Sequence, residues 1–146
     1  MRTLVDGVNH IAVLTADMER FIRFYQEAFD ATVEHDERNH AGHPGERMVI
    51  MSLGERSALN VFEVPGNTQA RLQTPMFGRG RIDHFGLNAS SRETFEHLRV
   101  RLMHLGASDG TITDFGTTLS VFFRDPDGLE AEVLWNKDPA SQEDKI

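Results

Sequence analysis

Two histidines, a glutamate and an asparagine stand at positions that this chain uses twice. Val8-Asn9-His10-Ile11-Ala12-Val13 returns 74 residues later as Ile82-Asp83-His84-Phe85-Gly86-Leu87, with histidine at the same place in both. Each segment alternates in the manner of a half-buried strand. Further on, Ala58 to Phe62 matches Glu130 to Leu134 at an offset of 72, which makes Asn60 the counterpart of Glu132. When two such units pair about a pseudo-twofold axis, His10, His84 and Glu132 point into one shared cleft. Two imidazoles and a carboxylate around an open cleft bind Fe(II), Mn(II), Ni(II) or Zn(II) and leave positions for water or substrate. The cation would polarise a substrate oxygen or lower the pKa of bound water. Glu132 lies between Ala131 and Val133 in an otherwise apolar strand. An unpaired carboxylate is costly to bury there, and a cation is the simplest partner.

The elements that must position these residues repeat as well. After each histidine strand comes an amphipathic helical pattern, with Phe21 matching Phe95, Phe24 matching Leu98 and Ala28 matching Leu102. In the first helix Met18, Phe21, Tyr25, Ala28 and Phe29 form the apolar stripe, with Thr15 or Asp17 as cap and Asp30 at the stop. In the second, Phe95, Leu98, Leu102 and Leu105 form it, Ser90 and Glu93 have capping-box spacing, and Gly106 suits a left-handed end.

Met48 to Leu53 and Ser120 to Asp125 then read as matching strands, each followed by a polar turn and the Asn60 or Glu132 strand. Asp125-Pro126-Asp127-Gly128 is a hairpin turn by its proline and glycine. Gly54-Glu55-Arg56-Ser57 is its polar equivalent. Ala31 to Glu34 and Ser108 to Asp114 complete a strand-helix-strand-strand-strand unit used twice. The expected fold is therefore α+β: two tandem βαβββ modules related by pseudo-twofold symmetry, forming a curved open mixed-sheet cleft. The modules are expected at 1–64 and 82–136, joined by a Gly/Pro-punctuated linker at 65–81 and followed by a flexible charged tail at 137–146, the whole making one domain.

Other chemistry-bearing residues read more plainly. His35, His40 and His43 fall in a polar Gly/Pro-containing loop, His35 to Arg47, expected to be solvated, with a mobile lid as the alternative. His97 and His104 read as surface or boundary residues of the second helix. Met76-Phe77 staples the linker or caps an apolar substrate. Val121-Phe122-Phe123 gives the core one face and a pocket wall the other.

Composition bounds the partners. The 146 residues carry 15 Lys plus Arg against 23 Asp plus Glu, a net charge of −8 that opposes binding to nucleic acid or anionic membranes. With no cysteine, there is no disulfide scaffold, zinc-cysteine cluster or thiol nucleophile. Met1 to Met18 has no uninterrupted apolar stretch for a signal peptide, so the cytoplasm is the expected compartment.

Asn9-His10-Ile11-Ala12-Val13 with Phe24-Tyr25, then Asp83-His84-Phe85, then Asp125-Pro126-Asp127-Gly128 with Glu132-Val133-Leu134, stand in an order that resembles the vicinal oxygen chelate superfamily. That superfamily includes glyoxalase I, methylmalonyl-CoA epimerase, fosfomycin-resistance thiol transferases, extradiol ring-cleaving dioxygenases and bleomycin-binding proteins. The resemblance spans Val8 to Trp135. It implies His10, His84 and Glu132 as metal ligands, a small-molecule substrate and a homodimer, and it makes position 60 the place of a fourth ligand, often Glu or Gln. Asn60 is not a general base near neutral pH. The resemblance therefore leans toward dioxygenase-like or lyase-like chemistry over isomerisation. Departures are visible too: Ala12 stands where fosfomycin enzymes carry Thr, and the only tyrosine, Tyr25, lies on the first helix, away from the extradiol position. The alternative is a metal-free protein that sequesters a hydrophobic or cationic small molecule, as bleomycin-binding members do.

Overall fold

Alternating burial along the inner strands decides which face of each sheet meets a helix. The computed structural model describes residues 4–72 and 74–137. Its contacts divide the chain into two units, Met1–Leu72 and Gln73–Ile146, and each is a βαβββ module. The first runs β1 (His10–Leu14), α1 (Met18–Phe29), β2 (Thr32–Arg38), β3 (Arg47–Ser52) and β4 (Ala58–Glu63). The second runs β5 (Phe85–Asn88), α2 (Arg92–His104), β6 (Ile112–Asp114), β7 (Thr118–Arg124) and β8 (Glu130–Asn136). The sheets are ordered β1-β4-β3-β2 and β5-β8-β7-β6. In each, the first strand pairs parallel with the last, and the other ladders are antiparallel. Among the described residues no helix is long and apolar enough to cross a membrane.

In the first module Arg47, Val49 and Met51 of β3 and Leu59 and Val61 of β4 are buried, together with Met18, Phe21, Phe24, Tyr25 and Ala28 of α1. Phe21 and Tyr25 stack at 4.5 Å between ring centroids, and Phe24 meets Tyr25 edge-on at 5.2 Å. Such aromatic pairs contribute beyond the area they bury. In the second module Leu119, Val121, Phe123, Ala131 and Val133 form the equivalent sheet face, and α2 inserts Phe95 and Leu102. Leu105, expected in that stripe, is exposed.

The caps follow the sequence with one change. Asp17 caps α1, accepting the Arg20 N–H at 3.0 Å, and Glu63 at the end of β4 accepts the Met18 N–H at 2.5 Å. Asp30 takes the left-handed turn at φ 54°, as Gly106 does after α2 at φ 67°. At the start of α2 the cap is Ser91, not the expected Ser90: Ser91 Oγ accepts the Thr94 N–H at 3.0 Å. Both serines suit the role, and the backbone at Ser91 (φ −151°, ψ 165°) settles it.

The region His35 to Arg47 is only partly the loop that was expected. Residues 35–38 belong to β2, an edge strand paired with β3, and its polar composition hid it. Arg47, nearly buried, donates Nε and Nη2 to the Asp36 carboxylate at 2.9 and 2.7 Å and Nη1 to Glu19 Oε1 at 2.6 Å, tying β3 to β2 and α1. A forked guanidinium on a carboxylate is among the stronger polar contacts. In the DPDG turn, Gly128 N–H reaches Asp125 O at 2.9 Å while Asp125 Oδ1 accepts from the backbone of Asp127 and Leu129. Most of the expected tail lies outside the described residues; its first residue, Lys137, holds Asp114 through Nζ at 2.7 Å.

Two measurements test this account. The Arg47 guanidinium holds the Asp36 carboxyl below its ordinary range, so the pair contributes stability above the unfolded carboxylate pKa and loses it as pH falls through the lower folded value. Asp36→Asn should therefore cost about 1 kcal/mol at pH 7, a modest figure because Asp36 is partly exposed, and the Tm gap to wild type should shrink as pH falls below the ordinary aspartate range of about 4. A gap that stays constant with pH would assign the effect to packing. Ser91→Ala should cost about 1 kcal/mol in a denaturant melt, and Ser90→Ala much less.

Candidate functional site

Because β1 and β5 alternate, His10 and His84 stand on the sheet faces turned away from the helices, and register does the rest. Ala12 lies beside Asn60, and Gly86 beside Glu132. The histidine two residues earlier on the same face is thus diagonal to the asparagine or the glutamate. The regular strands begin at His10 and just after His84, at Phe85, later than the alternation implied; Val8 and Ile82 are exposed.

In the second module His84 and Glu132 come together. His84 Nε2 lies 3.5 Å from Glu132 Oε1. The other atom of each group is already engaged: Asp83 Oδ1 holds His84 Nδ1 at 2.6 Å, and the Ser120 hydroxyl donates to Glu132 Oε2. Both side chains are largely covered, at 26% and 13% exposure. In a neutral ring the Asp83 carboxylate would hold the proton on Nδ1 and leave the Nε2 lone pair toward Glu132. That lone pair and Glu132 Oε1 are two electron donors aimed at the same space, an arrangement that suits a cation between them. These two donors fit part of a divalent metal's ligand set.

Neighbouring residues shape this pair. Phe122, opposite Glu132 on β7, meets the His84 ring edge-to-face at 5.6 Å. Gly86 leaves space beside Glu132: a Cβ there would overlap the Leu134 methyl and come within 3.6 Å of Glu132 Cγ. The Asp83 carboxyl is held below its ordinary range, first by the His84 ring and next by the Phe77 N–H.

The first module places His10 and Asn60 along one open cleft of 740 Å³, which Glu34, Ile50, Arg56 and Ala58 also line. His10 Nδ1 meets Asn9 Oδ1 at 2.8 Å, so Nε2 is again the nitrogen left to act as a ligand. Glu34 reaches the cleft from the point where the β2–β3 register slips between Val33 and His35, making it the extra residue of a β-bulge. His35 and His40 share Glu37, at 3.5 and 3.0 Å, which lowers the Glu37 pKa, while His43 contributes backbone bonds to the same turn. Among the described residues no three or more His, Asp or Glu side chains cluster closely enough to hold a metal ion.

Sequence reasoning left the roles of Asn9, Asp83 and Ser120 unassigned. The signal for the first two was present, since a side-chain acceptor precedes each repeated histidine. Ser120 is visible only once hairpin register sets β7 beside β8.

Solved structures share this architecture at low identity. A glyoxylase/bleomycin resistance protein/dioxygenase domain from Frankia sp. EAN1pec is 20% identical, covering 95% of this chain and 98% of its own, with a TM-score of 0.77. The genomically encoded fosfomycin resistance protein FosX of Listeria monocytogenes, solved with Mn(II) and sulfate, is 16% identical over 92% of this chain and 95% of its own, at a TM-score of 0.66. A lactoylglutathione lyase from Agrobacterium tumefaciens is 19% identical over 91% and 96%, at 0.64. A family model matches residues 7–133, nearly the whole βαβββ repeat, and the chain belongs to the Glyoxalase/Bleomycin resistance protein/Dioxygenase superfamily.

Proposed function

We propose that this protein is a metal-dependent enzyme of vicinal oxygen chelate type, in which His10, His84 and Glu132 hold one divalent cation, Fe(II), Mn(II), Ni(II) or Zn(II), and the substrate is a small organic molecule bearing neighbouring oxygens. The observation that carries the reading is the approach of His84 Nε2 to Glu132 Oε1, each with its second polar atom already bonded. When bound, such a cation supplies Lewis acidity to a developing enolate or catecholate oxygen.

The chain's own residues do the remaining work. Asp83 bonds His84 Nδ1, which would leave Nε2 to hold the cation. Ser120 fixes Glu132 by one oxygen and leaves the other to bind. Phe122 walls one side of the imidazole. Asn60 accepts or donates a hydrogen bond to a substrate oxygen but does not take up a proton, which favours dioxygenase-like or lyase-like chemistry over isomerisation. A homodimer, on family resemblance alone, is the working assembly, and the cytoplasm is its proposed compartment.

Tag-free protein purified without chelator and reloaded anaerobically with each of the four ions should carry about one metal per chain by plasma mass spectrometry, as a single open site requires. His84→Ala and Glu132→Ala should each remove it, and His10→Ala should weaken it. No stoichiometric metal under any loading would replace the enzyme with a metal-free protein that sequesters a small molecule. Fe(II)-loaded protein presented with a catechol panel is expected to consume oxygen. The absence of uptake with every diol would remove the dioxygenase branch and leave the lyase-like one.

A further inference from the structure

The segment that leads into β5 does more than connect the modules. Arg79, 14% exposed, places each part of its guanidinium. Nε donates to the Thr74 carbonyl at 2.7 Å, Nη1 to both the Asp83 carbonyl and Asp83 Oδ1 at 3.2 Å, and Nη2 to Glu130 Oε2 at 2.8 Å. Arg124 Nη2 reaches the same Glu130 oxygen at 3.3 Å. Asp83 in turn accepts the Phe77 N–H on Oδ2 at 2.6 Å and the His84 ring on Oδ1. Phe77 sits at φ 66° with its ring exposed, a backbone geometry a bulky residue adopts only where its surroundings compensate.

These contacts close on themselves. Glu130 and Glu132 lie two apart on β8 and therefore share one face of the sheet. From Glu130 the path runs through Arg79, Asp83 and His84 and returns to β8 at Glu132. The hydrogen bonds from β8 through Arg79 and Asp83 to Nδ1 leave the imidazole little freedom to turn. The first module has a weaker version, because a neutral amide, Asn9, holds His10.

We propose that Arg79 and Asp83 are positioning residues for the metal ligand His84: the guanidinium fixes the Asp83 carboxylate against β8, and that carboxylate fixes the tautomer and rotation of the ring so that Nε2 faces Glu132. The inference rests on the reading of His84 as a ligand. It assigns a role to the joining segment that neither the fold nor the ligand set requires. It also makes the two histidines unequal, with His84 the pre-set ligand and His10 the more freely turning one.

The test pairs a metal titration with a metal-free readout. Zn(II) affinity, measured by competition with a chromophoric chelator, should fall roughly 10–100-fold in Asp83→Ala. Arg79→Ala should weaken it by a smaller factor, with Asp83→Asn and Arg79→Lys recovering part of each loss. In the metal-free protein at pH 8, long-range ¹⁵N–¹H correlation should find the His84 proton on Nδ1 in wild type and Asp83→Asn, and on Nε2 in Asp83→Ala. A thermal melt of each variant separates lost folding from lost positioning, and the two conservative variants carry the test where an alanine variant does not fold. Unchanged Zn(II) affinity and an unchanged tautomer in folded variants would overturn the proposal. A tautomer that switches in a protein binding no metal would uphold the positioning role and overturn the ligand reading beneath it.

Discussion

Parallel pairing between the first and last strand of each module is the constraint on which the rest depends. A parallel neighbour is out of reach of a tight turn, so the chain leaves β1 or β5 through a helix and returns by antiparallel hairpins. The helix covers one sheet face as it crosses, and the opposite face stays open. Side chains on a strand alternate, so every residue on the open face is one the helix does not need. His10, His84, Asn60 and Glu132 all occupy such positions. A slip of one residue in the β5–β8 register would turn Glu132 toward α2 and leave His84 without its neighbour.

The two modules meet this constraint with different interiors. The first relies on a helix dense in aromatics, with Phe21, Phe24, Tyr25 and Phe29 in contact with one another. The second buries fewer side chains from α2 and leans on Phe95, Leu102 and the sheet itself. At the end of the buried row of β3 stands Arg47, where β7 has Leu119. The guanidinium is acceptable there because Asp36 and Glu19 answer it; with both removed, an unpaired charge would remain at the rim of the core. The repeat thus preserves the pattern of burial more faithfully than the means of achieving it.

The repeat made much of this legible. Matching histidines 74 residues apart, together with the matched helices and hairpins, are enough to derive two βαβββ modules, because alternation and helical periodicity are written in residue types. β2 was half concealed: as an edge strand it buries almost nothing, and Glu34 to Arg38 are all polar. The choice between Ser90 and Ser91 turned on backbone angles that composition does not carry. The polar contacts around the site were the least legible. Asp83 beside His84 could be read from the chain, but its bond to Arg79, and through Arg79 to Glu130, joins residues 51 apart that only the folded segment brings together.

The β2 and β6 edges of the two sheets carry a consequence for how copies of this chain behave toward one another. An unpaired edge invites another strand to continue the ladder. β2 answers with bulk charge and a bulge, carrying Glu34, Asp36, Glu37 and Arg38 along seven residues, while β6 answers by brevity, with three. A stranger's strand would find repulsion and a kink at the first and almost no rail at the second. Protection by carboxylates fades in acid, however: with Glu34 and Glu37 neutral, Arg38 and the bulge are what remain to turn a strand away from β2, while the brevity of β6 is independent of pH.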